Sequence, residues 1–230
     1  MKLFHKENRN TWLLCLLMFL VAAVSYPWLP EQVPIRFNAS GLIDETGPRF
    51  FVFLMPGVTF LLLLLAELSP RIDPRGSNYR RFHRQYYLIH FLLTLLFLFI
   101  ELYTIAVCYW PGLLSSFNVG LWLPAFIGVM LAFCGNIMPK FKPNYFTGIK
   151  TPWTLADENV WYLTHRFTGK LWVAGGILII FAAFLPPVWK LCVFFSLILM
   201  IVLLPVLYSF LVYRRNSRSS SDGKEPDFKE

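Results

Sequence analysis

The sequence predicts an all-α membrane protein whose helices cross the bilayer about six times, with both termini in the cytoplasm. The chain has 230 residues, of which 57% are hydrophobic and 15% charged, whereas a soluble domain carries about a quarter charged residues. The apolar residues form long blocks separated by short charged stretches. Blocks of about 20 apolar residues are long enough for a helix to cross a ~30 Å hydrocarbon core. The bilayer is therefore the main solvent for this chain.

Each apolar block is predicted to be one helix, because backbone groups in lipid must be hydrogen-bonded within their own segment. The predicted spans are 12–29, 50–68, 86–110, 118–138, 171–188 and 191–213. The first span has a rival interpretation. Basic residues precede it and Ala23-Val24-Ser25 follows it, which is also typical of a removed signal peptide. That alternative leaves five spans in an unchanged orientation.

The orientation follows from the placement of the basic residues. With the N-terminus inside, all but three of the 21 Lys and Arg residues lie in cytoplasmic segments, which is the bias that orients membrane helices. The exceptions are Arg36, Arg49 and Lys190. Aromatic residues such as Trp28 and Trp189 mark the predicted outer interface. Topology thus accounts for the net charge of +8, and direct nucleic-acid binding is not predicted.

The loops between the spans carry most of the distinctive sequence. The outer loop, 30–49, is rich in Pro, Gly and turn-forming side chains, which fits either a compact ordered loop or a simple tether. In the first inner loop, Arg80, Arg81 and Arg84 are predicted to meet anionic lipid headgroups.

The second inner loop, 139–170, is predicted to contain a short helix. Thr154 followed by Asp157 fits an N-cap and capping box, with the helix beginning at Leu155. Trp161, His165 and Arg166 are then expected near the membrane surface. The loop is either an interfacial anchor for the fifth span or a docking surface for a cytoplasmic partner.

Three ionisable residues lie within the predicted spans. Glu67 and His90 are near the cytoplasmic ends, where water is within reach. Glu101 lies 15 residues into the third span, which is about 22 Å along a helix. An ionised carboxylate at such depth costs on the order of 3 kcal/mol or more. Glu101 is interpreted either as a neutral side chain hydrogen-bonded to a neighbour or as a functional relay.

Small residues and prolines predict how the helices pack. Gly128 and Ala132 in the fourth span, and Gly175 and Gly176 in the fifth, allow close contact between helices. Pro56 and Pro205 are expected to kink the second and sixth spans. The tail 214–230 is Ser-rich and nearly devoid of apolar residues, so it is predicted to be disordered.

The sequence lacks the motifs of the common catalytic sites. It contains no HExxH pair, nucleophile elbow or phosphate-binding glycine loop, and no cofactor or metal site is predicted.

Two stretches resemble known membrane families. Leu29-Pro30 and 34–38, followed by Gly41, Asp44 and Pro56, resemble an N-terminal membrane module of unknown function, which often has His where this chain has Arg36. Asp73-Pro74 and Asn78-Tyr79 resemble the link after that module. The stretch 144–155, NYFTGIKTPWTL, with Val160-Trp161 and His165-Arg166, resembles the signature of the SdpI family. The predicted organisation is a two-helix module over 1–85, an SdpI-like region over 86–213 with the inner signature loop 139–170, and the tail.

The resemblance implies a bacterial immunity protein of the cytoplasmic membrane. The family's namesake protects against a secreted peptide toxin that collapses the proton gradient, and it holds a transcriptional repressor at the membrane. Membrane lipid, a toxin outside and a repressor inside are the partners that this implies. The outer recognition candidates are Pro34, Arg36, Phe37, Asn38, Gly41 and Asp44. The inner docking candidates are Asn144, Gly148, Lys150, Thr151, Pro152, Trp153, Trp161, His165 and Arg166.

Two other functions are open to the same sequence. Glu101 and the proline-containing spans are compatible with a small proton-coupled transporter. A membrane-bound enzyme using His165 and Arg166 is disfavoured, because no nucleophile or metal site accompanies them.

Overall fold

The computed structural model describes residues 8–221 and confirms the all-α membrane class. Its long helices are joined by short 3-10 turns and loops, and the outer loop adds one small antiparallel sheet. The helices are α1 Arg9–Ser25, α2 Leu54–Ile72, α3 His83–Tyr109, α4 Leu113–Ser116, α5 Val119–Ile137, α6 Pro152–Ala156, α7 Glu158–Ala182 and α8 Pro187–Ser221. The strands are β1 Gln32–Phe37 and β2 Ile43–Pro48.

Five helical segments within residues 8–221 are long and apolar enough to cross a membrane. They are Arg9–Trp28, Arg49–Ile72, His83–Tyr109, Val119–Lys140 and Pro187–Ser217. The chain is therefore a multi-pass membrane protein. Helix α7, which holds most of the predicted fifth span, is not among the five because its first half is polar, with His165, Arg166 and Lys170. A sixth crossing by α7 stays a prediction.

The last helix is longer than predicted. Helix α8 continues to Ser221, so the prediction of disorder is wrong for residues 214–221. The stretch after Tyr213 contains no Pro or Gly before Ser221 to end the helix, and Asn216 Nδ2 donates to Asp157 Oδ2 at 3.3 Å. Residues 222–230 of the predicted tail lie outside the described part of the chain.

The helices form two packed groups. Helices α1, α2 and α3 pack on one another, and α5 and α8 pack on either side of α7. Helix α3 also contacts α5, which joins the groups. Although nearly all of α3 lies beyond the predicted boundary at residue 85, it packs chiefly against the helices that precede that boundary.

Helices α5 and α7 approach closely because glycines face each other at two levels. A Cβ added at Gly128 would lie 2.6 Å from the carbonyl oxygen of Gly176, and one added at Gly135 would lie 2.7 Å from that of Gly169. Small residues in these spans were expected to allow close helix contact, and the structure shows that Gly128 pairs with Gly176. By contrast, Pro56 lies in the first turn of α2, where a proline has no intrahelical hydrogen bond to remove. The kink expected at Pro56 therefore loses its physical cause.

Candidate functional sites

The outer loop is an ordered hairpin, which decides between the two alternatives for this segment. Strands β1 and β2 pair antiparallel. At the tip, Asn38 Oδ1 accepts hydrogen bonds from the backbone N–H groups of Ser40 at 2.9 Å and Leu42 at 3.0 Å. Gly41 has φ +81°, a left-handed conformation that favours glycine. Turn chemistry therefore accounts for Asn38 and Gly41.

The hairpin tip packs on the N-terminal ends of α5 and α8. A Cβ added at Gly120 would lie 2.6 Å from the carbonyl oxygen of Ala39. Lys190 is only 7% exposed, and its Nζ donates to the carbonyl oxygens of Ala39 at 3.2 Å and Gly120 at 2.8 Å. On β1, the Phe37 ring packs 5.2 Å from that of Tyr103 in α3. The hairpin is thus fixed to three helices.

Lys190 is a residue that sequence reasoning did not single out. Its only signal was that it is one of three basic residues on the predicted outer side. Its role as a clamp depends on two carbonyl groups that lie far away along the chain.

The exposed face of the hairpin carries a small charged network. Arg36 Nε lies 2.6 Å from Asp44 Oδ2, and a second guanidinium nitrogen lies 3.4 Å from Glu45 Oε2. All three side chains are exposed, so these ion pairs contribute little to stability and are open to a ligand. Among the outer candidates, Arg36, Asn38 and Asp44 face solvent, Phe37 is half-buried, and Pro34 and Gly41 are buried.

On the inner side, the link after α2 holds the signature loop in place. The Tyr79 hydroxyl donates to Asp73 Oδ2 at 3.0 Å or to Asn144 Oδ1 at 3.3 Å. Asp73 Oδ2 also accepts the backbone N–H of Tyr145 at 2.8 Å. Burial raises the pKa of Tyr79, with the hydrogen bond to Asp73 as the next cause, so this hydroxyl keeps its proton. Residues of the two predicted regions thus share one hydrogen-bond network.

Asn144 organises the turn that begins the signature loop. The side chain is fully buried, and its Oδ1 accepts backbone N–H groups from Phe146 at 3.0 Å and Thr147 at 2.6 Å. Its Nδ2 donates to the carbonyl oxygen of Lys142 at 2.9 Å. Asn144 therefore shapes the loop from inside and does not present its side chain to a partner.

His165 of α7 supports the middle of the loop through hydrogen bonds of its ring. Its Nδ1 lies 2.8 Å from the carbonyl oxygen of Trp161, and its Nε2 lies 3.1 Å from the backbone nitrogen of Ile149. Since Ile149 N–H is a donor, Nε2 must accept and Nδ1 must carry the proton. Burial lowers the pKa of His165 to about 4, so the ring is neutral at neutral pH. Gly148, with φ +99°, packs directly against this ring.

Trp161 and His165 are both buried within the protein, and their position near the membrane surface stays a prediction. Their rings stack with centroids 4.1 Å apart, and Trp161 Nε1 donates to the carbonyl oxygen of Phe141 at 2.9 Å. Arg166, the next residue on α7, is exposed.

The predicted helix start in this loop is wrong by three residues. Thr151, not Thr154, is the N-cap, and it forms a capping box with Thr154, because Pro152 fits the first helical position after a threonine cap. Asp157 instead caps α7 by accepting the N–H groups of Asn159 and Val160. Two short-range signals were present in the sequence, and they belong to two successive helices.

The start of α6 is also tied to α8. Thr151 Oγ1 lies 3.0 Å from Ser209 Oγ, and the Trp153 ring packs 5.1 Å from that of Phe210. Thr151 is buried and Trp153 half-buried. These two inner candidates therefore hold the loop against the last membrane helix.

The surface that remains for a partner is basic and aromatic. Of the inner candidates, Lys150, Pro152 and Arg166 are exposed. A cavity of about 180 Å³ opens between the link, the loop and the start of α7. Its lining includes Asn78, Arg81, Lys142, Glu158, Trp161 and Tyr162. The buried signature residues hold the loop in shape, and the exposed ones form its surface.

The ionisable residues of the spans differ from one another. Glu67 is buried, contrary to the expectation that it reaches water, and its Oε1 accepts from Asn8 Nδ2 at 2.8 Å. His90 is half-buried, with its Nδ1 2.8 Å from the carbonyl oxygen of Tyr86. Glu101 is 2% exposed, and neither carboxyl oxygen has a hydrogen-bond partner among residues 8–221.

Two models of known protein families match parts of this chain. The model of the SdpI/YfhL protein family matches residues 140–212, and the model of a domain of unknown function, DUF1648, matches residues 13–60. The fold defines a multi-pass membrane protein, and these matches show that its second part is similar to the SdpI/YfhL family and its first part to the domain of unknown function. The predicted family resemblance is confirmed.

One curated relative extends the similarity over nearly the whole chain. It is the "Immunity protein SdpI" of Bacillus subtilis (strain 168), which is 26% identical over 210 residues. The match covers 91% of this chain and 97% of that protein. No solved structure matches this chain.

Proposed function

We propose that this chain is a non-enzymatic immunity protein of the bacterial cytoplasmic membrane, protecting the cell from a secreted antimicrobial peptide. The observation that carries the proposal is the end-to-end similarity to a protein named for immunity, which includes both membrane regions in the same order. The two ordered surfaces, one on each predicted side of the membrane, support it.

The outer hairpin is the proposed recognition surface for the peptide. Its backbone is fixed by Lys190 and by the packing of Phe37, so a ligand meets a preorganised surface at a low entropic cost. Exposed apolar side chains at Ile35, Leu42 and Ile43 accompany the Arg36–Asp44 pair. This mixture suits an amphipathic peptide better than a small polar solute.

The inner surface is the proposed docking site for a transcriptional repressor. Arg81 and Lys142 line its cavity, and exposed Arg166 donates to the hydroxyl of Tyr162, which also lines it. No ion pair involves these three cations among the described residues. A partner with acidic side chains would complement them. In this proposal the membrane protein contacts the repressor and not DNA.

The immunity proposal is tested by deleting the gene and exposing the cells to producer strains and purified secreted peptides. We expect sensitivity to at least one peptide to rise and the intact gene to restore protection. Leu42→Asp, at the exposed hairpin tip, should weaken restoration, whereas Arg166→Glu, at equal protein levels, should restore it fully. Unchanged sensitivity of the deletion strain to every peptide would contradict the proposal.

The docking proposal has a separate readout. A fluorescent fusion of a repressor encoded beside this gene should move to the membrane when the peptide is present, and Lys142→Glu should abolish the movement while protection is retained. If the fusion stays in the cytoplasm with the unaltered protein, the signalling half of the proposal is wrong.

A proton-coupled transporter is the second candidate function, and the buried carboxyl of Glu101 favours it. Its test is ion-coupled flux in liposomes with Glu101→Gln. Flux equal to that of the unaltered protein would remove the support for this alternative.

A further inference from the structure

Glu101 is a buried acidic side chain that the proposed immunity function does not use. It lies in α3, eight residues before the helix ends at Tyr109, and thus about 12 Å from that end. Both carboxyl oxygens are buried and lack a hydrogen-bond partner among the described residues. The described residues therefore include no neighbouring side chain that hydrogen-bonds to this carboxyl, as one interpretation of the sequence expected.

The surroundings of Glu101 are neutral. Cys15 of α1 lies within its electrostatic reach, and the Cys15 thiol is 3.9 Å from the carbonyl oxygen of Pro56 in α2. Thr59 lies one turn further along α2, and its buried hydroxyl also lacks a partner among residues 8–221. No charged side chain in the described part of the chain acts on Glu101. Cys15 thus lies near both Glu101 of α3 and the backbone of α2, and residues 8–221 supply no counter-ion.

The occupant of such a site is decided by charge and ligand number. An ionised carboxylate needs a counter-charge or water at this depth, and residues 8–221 supply no cation that acts on it. A hard metal ion takes about six or more oxygen ligands, whereas Glu101 offers a single carboxyl group. Residues 8–221 contain no group of three or more His, Cys, Asp or Glu side chains that would hold a metal. A proton is the one cation that a single carboxyl can hold by itself.

We propose that Glu101 is an intramembrane proton-binding site, an uncharged carboxylic acid enclosed by α1, α2 and α3. The inference is independent of the immunity function, because it rests on burial and missing partners alone. It is also narrower than transport, since a proton held at one site need not cross the membrane.

A hydrophobic carbodiimide tests the proposal on the purified full-length protein in liposomes. The acid O–H adds across one C=N bond of the reagent, with the proton going to nitrogen and the carboxyl oxygen to carbon. The acyl group then moves to nitrogen, giving a stable N-acylurea that contains every atom of both reactants. Peptide mapping by mass spectrometry at neutral pH should find Glu101 increased by the mass of one reagent molecule.

Three variants serve as controls for this labelling. Glu101→Gln should lose the modified peptide, whereas Glu67→Gln and Cys15→Ala should keep it. The infrared carbonyl band of a protonated carboxylic acid should also be present in the unaltered protein and weakened in Glu101→Gln.

Two outcomes would overturn the proposal. One is the absence of both the label and the infrared band at Glu101. The other is equal labelling of Glu101 by a water-soluble carbodiimide, which would place the carboxyl in contact with bulk water. Neither result changes the sensitivity of cells to a peptide, so failure here is distinguishable from failure of the immunity proposal.

Discussion

At the scale of single residues, the signature residues of the inner loop are mostly buried and act on the structure of the loop. Asn144, Thr151, Trp161 and His165 are buried, and each hydrogen-bonds to a backbone group of the same inner loop. Gly148 makes room for the His165 ring. The signature residues are therefore first of all the structural determinants of the loop.

Gly148→Ala tests that conclusion. A Cβ at φ +99° is strained, and it would also collide with the His165 ring, so we expect a loss of stability on the order of 1–3 kcal/mol. Thermal unfolding of the detergent-solubilised protein measures it. Gly112→Ala is the control, since φ is −62° there and a Cβ would meet nothing within 4 Å. Equal unfolding temperatures for the two variants would be inconsistent with this account.

His165 predicts a pH dependence. Burial lowers its pKa from 6.5 to about 4, so between these values the unfolded chain binds a proton that the folded protein does not. The stabilisation is complete above pH 6.5 and is lost as the pH falls towards 4. The stability difference between the unaltered protein and His165→Gln should therefore shrink as the pH falls from 6.5 towards 4.

Unfolding curves recorded at several pH values check this expectation. His83→Gln, at a half-buried position, should keep the pH profile of the unaltered protein. A stability difference between His165→Gln and the unaltered protein that does not vary with pH would show that His165 is not responsible.

At the scale of elements, the packing of α5 on α7 depends on backbone contact. The glycines at 128 and 135 face those at 176 and 169, so each helix backbone fills the space that a side chain would take. Close contact between small residues stabilises membrane helix pairs through van der Waals packing. Polar α7 is thereby held against an apolar neighbour.

Gly176→Ala should loosen this helix pair. The added Cβ would meet backbone atoms of Gly128 and Ala132, which cannot rotate away as a side chain does, and overpacking of this kind costs about 1–3 kcal/mol. Gly57→Ala in α2 is the matched control, because a Cβ there has open space. Thermal unfolding should separate the two variants, and an unchanged Gly176→Ala protein would contradict the proposed packing.

At the scale of the whole molecule, polar contacts join the two predicted regions on the inner side. Beyond the network of Asp73, Tyr79 and Asn144, a guanidinium nitrogen of Arg75 donates to the carbonyl oxygen of Leu155 at 3.0 Å, and Asn78 Nδ2 donates to that of Pro143 at 2.8 Å. A ligand that moved the first three helices would therefore act on the signature loop directly. This gives the proposed relay a physical route.

The orientation and the sixth crossing have one common test. In a background from which the four free cysteines have been removed, single cysteines replace Ser40, Lys150 or Val188, all of which are exposed. A membrane-impermeant maleimide should label positions 40 and 188 in intact spheroplasts, and position 150 only after permeabilisation. If position 188 reacts like position 150, α7 does not cross the membrane.

The sequence by itself determined the membrane class and the positions of the two unlike loops, and it predicts an N-in orientation. These properties depend on local composition, because span length and the bias of basic residues act without reference to distant contacts. It also indicated that small residues in these two helices allow close packing, although it placed the inner helix start and the end of α8 wrongly. Local signals there, Thr154 with Asp157 and the polar tail, were compatible with more than one structure.

Only the tertiary structure decided which candidate residues face a partner and which build the site. Lys190 clamps a carbonyl 151 positions away, Asp73 accepts an N–H 72 positions away, and Glu101 is left without a described partner. Burial and pairing of this kind depend on which helices become neighbours, and composition and spacing do not contain that information. The physical reason is that a polar group in a low-dielectric interior is governed by the few atoms around it, and the fold alone brings those atoms together.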